Sequence, residues 1–498
     1  MFRLFNVIIV FFTGILFCNA QPVYHEQYRP QIHFSPMANW MNDPNGLIYY
    51  EGTYHLFFQY FPNKTVWGPM HWGHATSNDL VHWKQQEIAL YPDSLGYIFS
   101  GSAVLDQMNT SGFGTAGKIP MVAIFTQHDP VGEKDGTTNF QNESIAYSLD
   151  SGKTWTKYAG NPVLKTPGLK DFRDPKVNWY PEQNKWIMAL AAGDRLMFYS
   201  STDLKSWKKE SEFGEGIGAH GGVWECPDLV PFDVDGKKIW LLIVNMNPGG
   251  LQGGSGTQYF IGDFDGHDFK NYDTTTRWAD YGSDDYAGVT FSNTGKEKIF
   301  LGWMSNWLYG MAVPTVKWRS AMTFPRVIGL KKIGNSYFTT MMPIDQLDKL
   351  IIKSGIYYHS SAENGITISG PTKIEFNVPD LRSFSFVFAN KIGQSLKVGY
   401  DEDKNSFYID RTQAGKSEFS PSFANIQYGP RISQANASKV VIILDNSSLE
   451  LFADQGLTTM SEIFFPDTPF DNLLQTIDTN PVKEIKVSQL SSIWPKGK

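Results

Sequence analysis

The 498-residue chain has two cysteines. Cys18 falls in an N-terminal stretch that reads as a leader, which leaves Cys226 alone and excludes an intramolecular disulfide. Stability must then come from a packed core, even on an oxidising route. Beyond the N-terminus no apolar run is long enough to span a membrane, so no membrane partner is expected. Basic blocks are missing too. With a net charge of −7 and a pI near 5.8, the chain is not expected to bind nucleic acid. Long stretches of helical periodicity are almost absent, which points away from an α or α/β fold.

The leader comprises residues 1–20. Arg3 supplies the charge, Val7 to Phe17 is mostly apolar, and Cys18-Asn19-Ala20 ends in a small residue. A membrane anchor is the competing reading, but the apolar run is short for one. The mature chain is expected to begin near Gln21 and to be exported. Five N-x-[ST] sequons, at Asn63, Asn109, Asn142, Asn436 and Asn446, read as loop or turn sites. Some are expected to stay unused, because sequons also occur by chance. Aromatics make up 15%, including 15 Trp. That suits stacking on sugar rings, although Trp is also ordinary core material.

Short β-branched and aromatic runs, punctuated by Gly, Asn, Asp and Pro, fill the chain, so the class is all-β. The runs recur as a unit of strand, turn and strand. Copies begin at Asp43, Phe99, Arg173, Glu225 and Asp284. A second piece follows, a strand with a Ser/Asp turn and an aromatic: Ala75–Trp83, Tyr147–Trp155, Tyr199–Trp207 and, more loosely, Ile261–Phe269. Two hairpins per unit make a four-stranded blade. Five units predict a five-bladed β-propeller over 21–343. Accidental likeness within a sandwich-rich protein is the alternative. A linker is expected at 344–354 and a β-sandwich over 355–498, where strands of six to eight residues alternate with turns.

The stretch Trp40 to Gly46 reads W-M-N-D-P-N-G. Pro44 and Asn45-Gly46 keep Asp43 off any helix. Each blade's first strand should line the channel, so Asp43, Asp174 and Glu225 are predicted to take matching places and converge at its mouth. Three carboxylates in a Trp-rich pocket suit glycoside hydrolysis, in which one acid protonates the leaving oxygen and another attacks or activates water. A Ca²⁺ cage is the other use of three acids, but the spacing is not that of an EF-hand. No metal or cofactor is expected. Asn42 can hold Asp43 ionised, as a nucleophile needs. Arg173 should keep Asp174 charged, unless the two form only a structural salt bridge. Glu225 lies in an apolar run, where burial would suit a general acid.

W-M-N-D-P-N-G, F-R-D-P at Phe172 to Pro175 and W-E-C-P-D at Trp224 to Asp228 resemble the three signatures of glycoside hydrolase family 32. That family includes invertases, exo-inulinases and levanases. Glu450 to Asp454 with Phe464-Phe465-Pro466 resembles its sandwich signature, and the likeness covers nearly the whole mature chain. It implies Asp43 as nucleophile, Asp174 as transition-state stabiliser and Glu225 as acid/base. It implies substrate contacts from Trp40, Met41, Asn42, Gln59, Trp67, Phe99, Ser100, Arg173 and Trp307. The implied activity is retaining hydrolysis of terminal β-fructofuranosyl residues, of sucrose first and of fructo-oligosaccharides next. Exo-inulinase or fructosyltransferase action is the alternative within the family. A catalytically inactive sugar-binding propeller is the alternative outside it. The implied partner is a small sugar, and self-association stays open.

Overall fold

The computed structural model describes residues 24–115, 117–359, 364–476 and 482–495. The leader, 1–20, lies outside them. Five sheets occupy residues 39–343 and two six-stranded sheets follow. The innermost strands of the five are Asn39–Tyr50, Tyr97–Leu105, Phe172–Tyr180, Val223–Val234 and Tyr286–Thr290. Each touches the next around a closed ring, and the fifth touches the first. The fold is thus a five-bladed propeller followed by a β-sandwich. Among the described residues no helix is long and apolar enough to cross a membrane.

Local chemistry accounts for the blades. Glu51-Gly52 and Asp235-Gly236 are two-residue hairpin loops with positive φ at both positions, the geometry that matches strand twist. Second strands such as Met121–His128 lie between neighbouring blades and are buried throughout. They therefore read as apolar runs rather than as alternation. The recurring Ser/Asp piece is one hydrogen-bonded turn used three times. Ser77, Ser148 and Ser201 donate to Asp79, Asp150 and Asp203. The following Trp83, Trp155 and Trp207 close each turn by donating indole N–H to a carbonyl within it. Ring closure comes from Trp318–Arg319, which pairs parallel with Asn39 and Trp40.

Every innermost strand carries a bulge at the same height. The register slips between Met41 and Pro44, Ile98 and Gly101, Arg173 and Lys176, Glu225 and Asp228, and Tyr286 and Val289. A bulge leaves its extra residues unpaired and re-aims their side chains. Asp174, Cys226 and Ala287 share its second position and all have positive φ, of 67°, 42° and 53°. Such backbone is costly for residues other than glycine and persists where surroundings hold it.

Of the expected linker 344–354, Asp345–Leu350 wind into a 3-10 helix, whereas Ile351 to Ser354 already belong to the sandwich strand Ile351–Tyr358. The sandwich meets the propeller across buried charge. Arg326 of the fifth blade pairs with Asp280 and Asp285 and with Glu450 of the sandwich. Arg411 of the sandwich pairs with Asp284 and Glu462. His33 bridges Asp445 and Glu450 at 2.8 Å each. Removing one partner from such a buried pair costs about 3–5 kcal/mol, because the other charge is left unpaired. Asp284 and Asp285, which open the fifth repeat in the sequence, thus serve the domain junction and not the channel.

Asn63, Asn109 and Asn436 are exposed. Asn142 is not a loop site as expected: it sits in the strand Gln141–Ser148, and its amide donates to Asn139. Asn446 donates its side-chain amide to the Arg29 carbonyl at 3.0 Å.

Candidate active site

The bulges place three acids at one mouth of the channel, each by a different offset. Counted from the residue before the slip, Glu225 is first, Asp174 second and Asp43 third. They meet without occupying matching places, which corrects the expectation from sequence. Cys226 lies between them, with its sulfur 3.5 Å from Asp43 and 3.7 Å from Asp174.

Asp43 accepts hydrogen bonds from Asn42 Nδ2 at 2.8 Å and from Ser100 Oγ at 2.7 Å. Asn42 is itself fixed by the indole N–H of Trp40 at 2.7 Å. Asp174 is buried and accepts from the Cys226 amide at 3.1 Å, while its own N–H donates to Thr126 Oγ1. Thr126 in turn donates to the fully buried Glu143. Burial raises Glu143 well above the ordinary carboxylate range, while the Thr126 hydrogen bond pulls it the other way.

Arg173 binds Glu225 through Nη2 at 2.9 Å and Asp171 through Nη1 at 2.6 Å, with Asp174 farther off at 3.9 Å. Arg173 acts on Asp174 in the expected direction, but it does not set the balance. Burial pushes Asp174 up to about 7. Arg173 pulls the other way, but Glu225 and Asp43 add to the rise. Glu225 is not surrounded by apolar groups. Its other oxygen accepts from the Tyr286 hydroxyl, whose titration burial and the Glu225 charge place far above neutrality. Tyr286 therefore stays a donor.

These acids form the base of a pocket of about 290 Å³. Of the residues predicted to bind substrate, Asn42, Gln59, Trp67, Phe99, Ser100, Arg173 and Trp307 line it. Trp40 and Met41 do not. Both are fully buried, and Trp40 packs on Trp303 and Trp307. Gln59 is buried with its amide nitrogen unpartnered among the described residues, and an unsatisfied donor on a pocket wall is poised to meet a ligand acceptor. Trp67 and Met311 stand exposed at the rim. Six wall residues were not anticipated: His128, Glu133, Gln141, Asp171, Asn247 and Met311. They come from outer strands and loops, where the sequence repeat gives no alignment. Tyr286 was within reach of the sequence, because it stands in Asp284-Asp285-Tyr286 at the opening of the fifth repeat.

Beneath the acids the channel is shut. Lys176 and Asp228 pair at 3.0 Å, and both hold the backbone of Thr290. All three are buried. The space above them is about 10 Å³, room for one water at most. The pocket is thus blind.

The chain is similar to known proteins along most of its length. Residues 33–340 match the glycosyl hydrolases family 32 N-terminal domain, and residues 359–490 match the family 32 C-terminal domain. The chain is 44% identical to a levanase of Bacillus subtilis, over 95% of this chain and 72% of that one. It is 41% identical to an extracellular exo-inulinase of Aspergillus ficuum, over 95% and 96%. It superposes on the crystal structure of an exo-inulinase from Aspergillus awamori with a TM-score of 0.87 and 37% identity, covering 95% of this chain and all of the other. The chain belongs to glycosyl hydrolase family 32.

Proposed function

We propose that this family 32 fructosidase is a retaining, exo-acting β-fructofuranosidase, which removes terminal β-D-fructofuranosyl units from fructans and from sucrose. The observation that supports this most is the blind pocket with three carboxylates at its base. Its size suits one sugar unit held deep and a second at the rim. A closed floor accepts the end of a chain and leaves no path for its middle.

The roles follow from the contacts. Asp43, held by two donors, attacks the anomeric carbon and forms the fructosyl-enzyme. Glu225 protonates the departing oxygen, then takes a proton from the water that releases fructose. Tyr286 and Arg173 orient Glu225. Asp174 binds sugar hydroxyls against the developing positive charge, and Gln59 supplies a further donor. The names of the relatives favour fructan ends as the main substrate. Sucrose presents the same fructosyl head, and invertase-type action is part of the proposal. Export is supported by the leader pattern at 1–20 and by the extracellular Aspergillus relative.

The test is a panel of levan, inulin and sucrose with products resolved from the first minutes. Fructose alone should appear from the fructans, and fructose with glucose from sucrose. Oligosaccharides released from the start would overturn exo action. An inert protein would leave only a sugar-binding propeller.

A further inference from the structure

The Lys176–Asp228–Thr290 plug is also the floor of a second cavity, at the opposite mouth of the channel. It measures about 460 Å³ and shares no lining residue with the catalytic pocket. Its walls are the far ends of the innermost strands of blades two to five. Trp179, Trp186 and Trp240 line it. Trp186 spends its indole N–H on Thr110, whereas the indole N–H of the half-buried Trp179 makes no hydrogen bond among the described residues.

The polar groups also keep unused hydrogen-bonding capacity. Among the described residues, Asp228 and Ser292 each keep a buried oxygen without a partner. Lys298, half-buried, donates to the Gly295 carbonyl and has no carboxylate within salt-bridge distance among the described residues. Such groups carry a desolvation cost until something fills them. The lining carries one charge of each sign, Lys298 and Asp228, so neither an anion nor a cation is selected. Indole faces beside carboxylate, ammonium, carboxamide and hydroxyl groups are complementary to a neutral ring that bears hydroxyls.

From this, the geometry points to a second, non-catalytic saccharide site at the far mouth of the propeller, formed around Trp179 and Lys298. It would take one or two neutral hexose units, either free or at the end of a chain. The site does not depend on which glycosidic bond the catalytic pocket cleaves.

The experiment uses full-length Asp43→Asn protein, which leaves added sugar intact, made without N-glycans so that the nearby Asn109 sequon carries no competitor. Tryptophans are labelled with 5-fluorotryptophan, and the Trp179 fluorine signal is assigned from Trp179→Phe. Fructose, glucose, sucrose and inulin are titrated separately. A saturable shift of the Trp179 signal with the free sugars, weakened about fivefold to tenfold in Lys298→Ala, is the expected result. A shift with inulin alone would also support the site and identify chain ends as its ligand. A Trp179 signal that stays still with every sugar while the Trp307 signal moves would overturn the proposal. So would a Trp179 shift whose midpoint always equals that of Trp307, since that reports the catalytic pocket at a distance. Sucrose turnover by Trp179→Ala, in an otherwise unaltered chain, should match the unmodified protein.

Discussion

At the scale of single residues, the three acids differ in what surrounds them, and the difference can be read out by mutation. Glu225→Gln removes the proton that a poor leaving group needs, so sucrose cleavage should nearly cease. An activated aryl fructoside needs no such proton and should still load Asp43. The adduct should then accumulate, and azide, which needs no base, should release a β-fructosyl azide. Asp43→Asn keeps the acid but lacks the nucleophile, so a good leaving group should not restore the retaining route. Both variants are to be followed on sucrose and on the aryl fructoside, with and without azide. Exchanged patterns would exchange the two roles. The sequence carried these residues plainly, because proline and the W-M-N-D-P-N-G run mark unusual backbone. It carried their surroundings poorly. Asp174 is next to Arg173 in the chain, but the guanidinium turns to Glu225 and Asp171 instead, and chain adjacency says nothing of that choice.

At the scale of elements, the repeat was legible because each blade reuses one turn chemistry, with Ser77-x-Asp79, Ser148-x-Asp150 and Ser201-x-Asp203 solving the same problem. The bulge was not, because an unpaired residue shows itself only against its partner strand. Trp40 and Met41, which the resemblance implies as substrate contacts, are core instead. The first blade holds another feature that no motif announces. His55 and His74 are buried on adjacent strands with ring nitrogens 3.1 Å apart, and His74 stacks on Phe57. Burial lowers His55 to about 4, and burial with the neighbouring ring lowers His74 to about 3. Groups depressed in this way favour the folded state above their ordinary value near 6.5, and that benefit is lost as pH falls through about 4 to 3. Melting temperature should drop through this range, and the fall should be shallower in His55→Gln/His74→Gln. An unchanged acid slope would show that other groups control it.

At the scale of the whole molecule, propeller and sandwich share a buried network, so the sandwich is part of the folded core and not an appendage. His33 lies at its centre. Burial alone would lower the ring, but Asp445 and Glu450 outweigh it and raise His33 to about 9. A histidine raised in this way contributes fully below about 6.5, and the contribution is lost as pH climbs through about 9. Alkaline melting curves should therefore show the two domains loosening together across that interval, with the pH dependence reduced in His33→Gln. Two separate transitions, unaffected by the substitution, would mean the junction is weaker than its ion pairs imply. The domain order was legible from where the repeat stops and strands of six to eight residues begin to alternate with turns. The junction was not, because Asp284, Asp285, Arg326, Arg411 and Glu450 are far apart in the chain and meet only once both domains exist.

The plug of Lys176 and Asp228 has a consequence for traffic. With the floor shut, substrate and product use one doorway, and they use it in opposite directions. Freed fructose must leave before another chain end can enter, and the shortened polymer must back away to let it pass. Turnover should thus be distributive, with many chains trimmed a little before any is consumed. Fructose should inhibit competitively, raising KM and leaving kcat untouched. Product-length profiles from a uniform fructan, taken with and without added fructose, would show a tunnel-like run along single chains if the floor opens in solution.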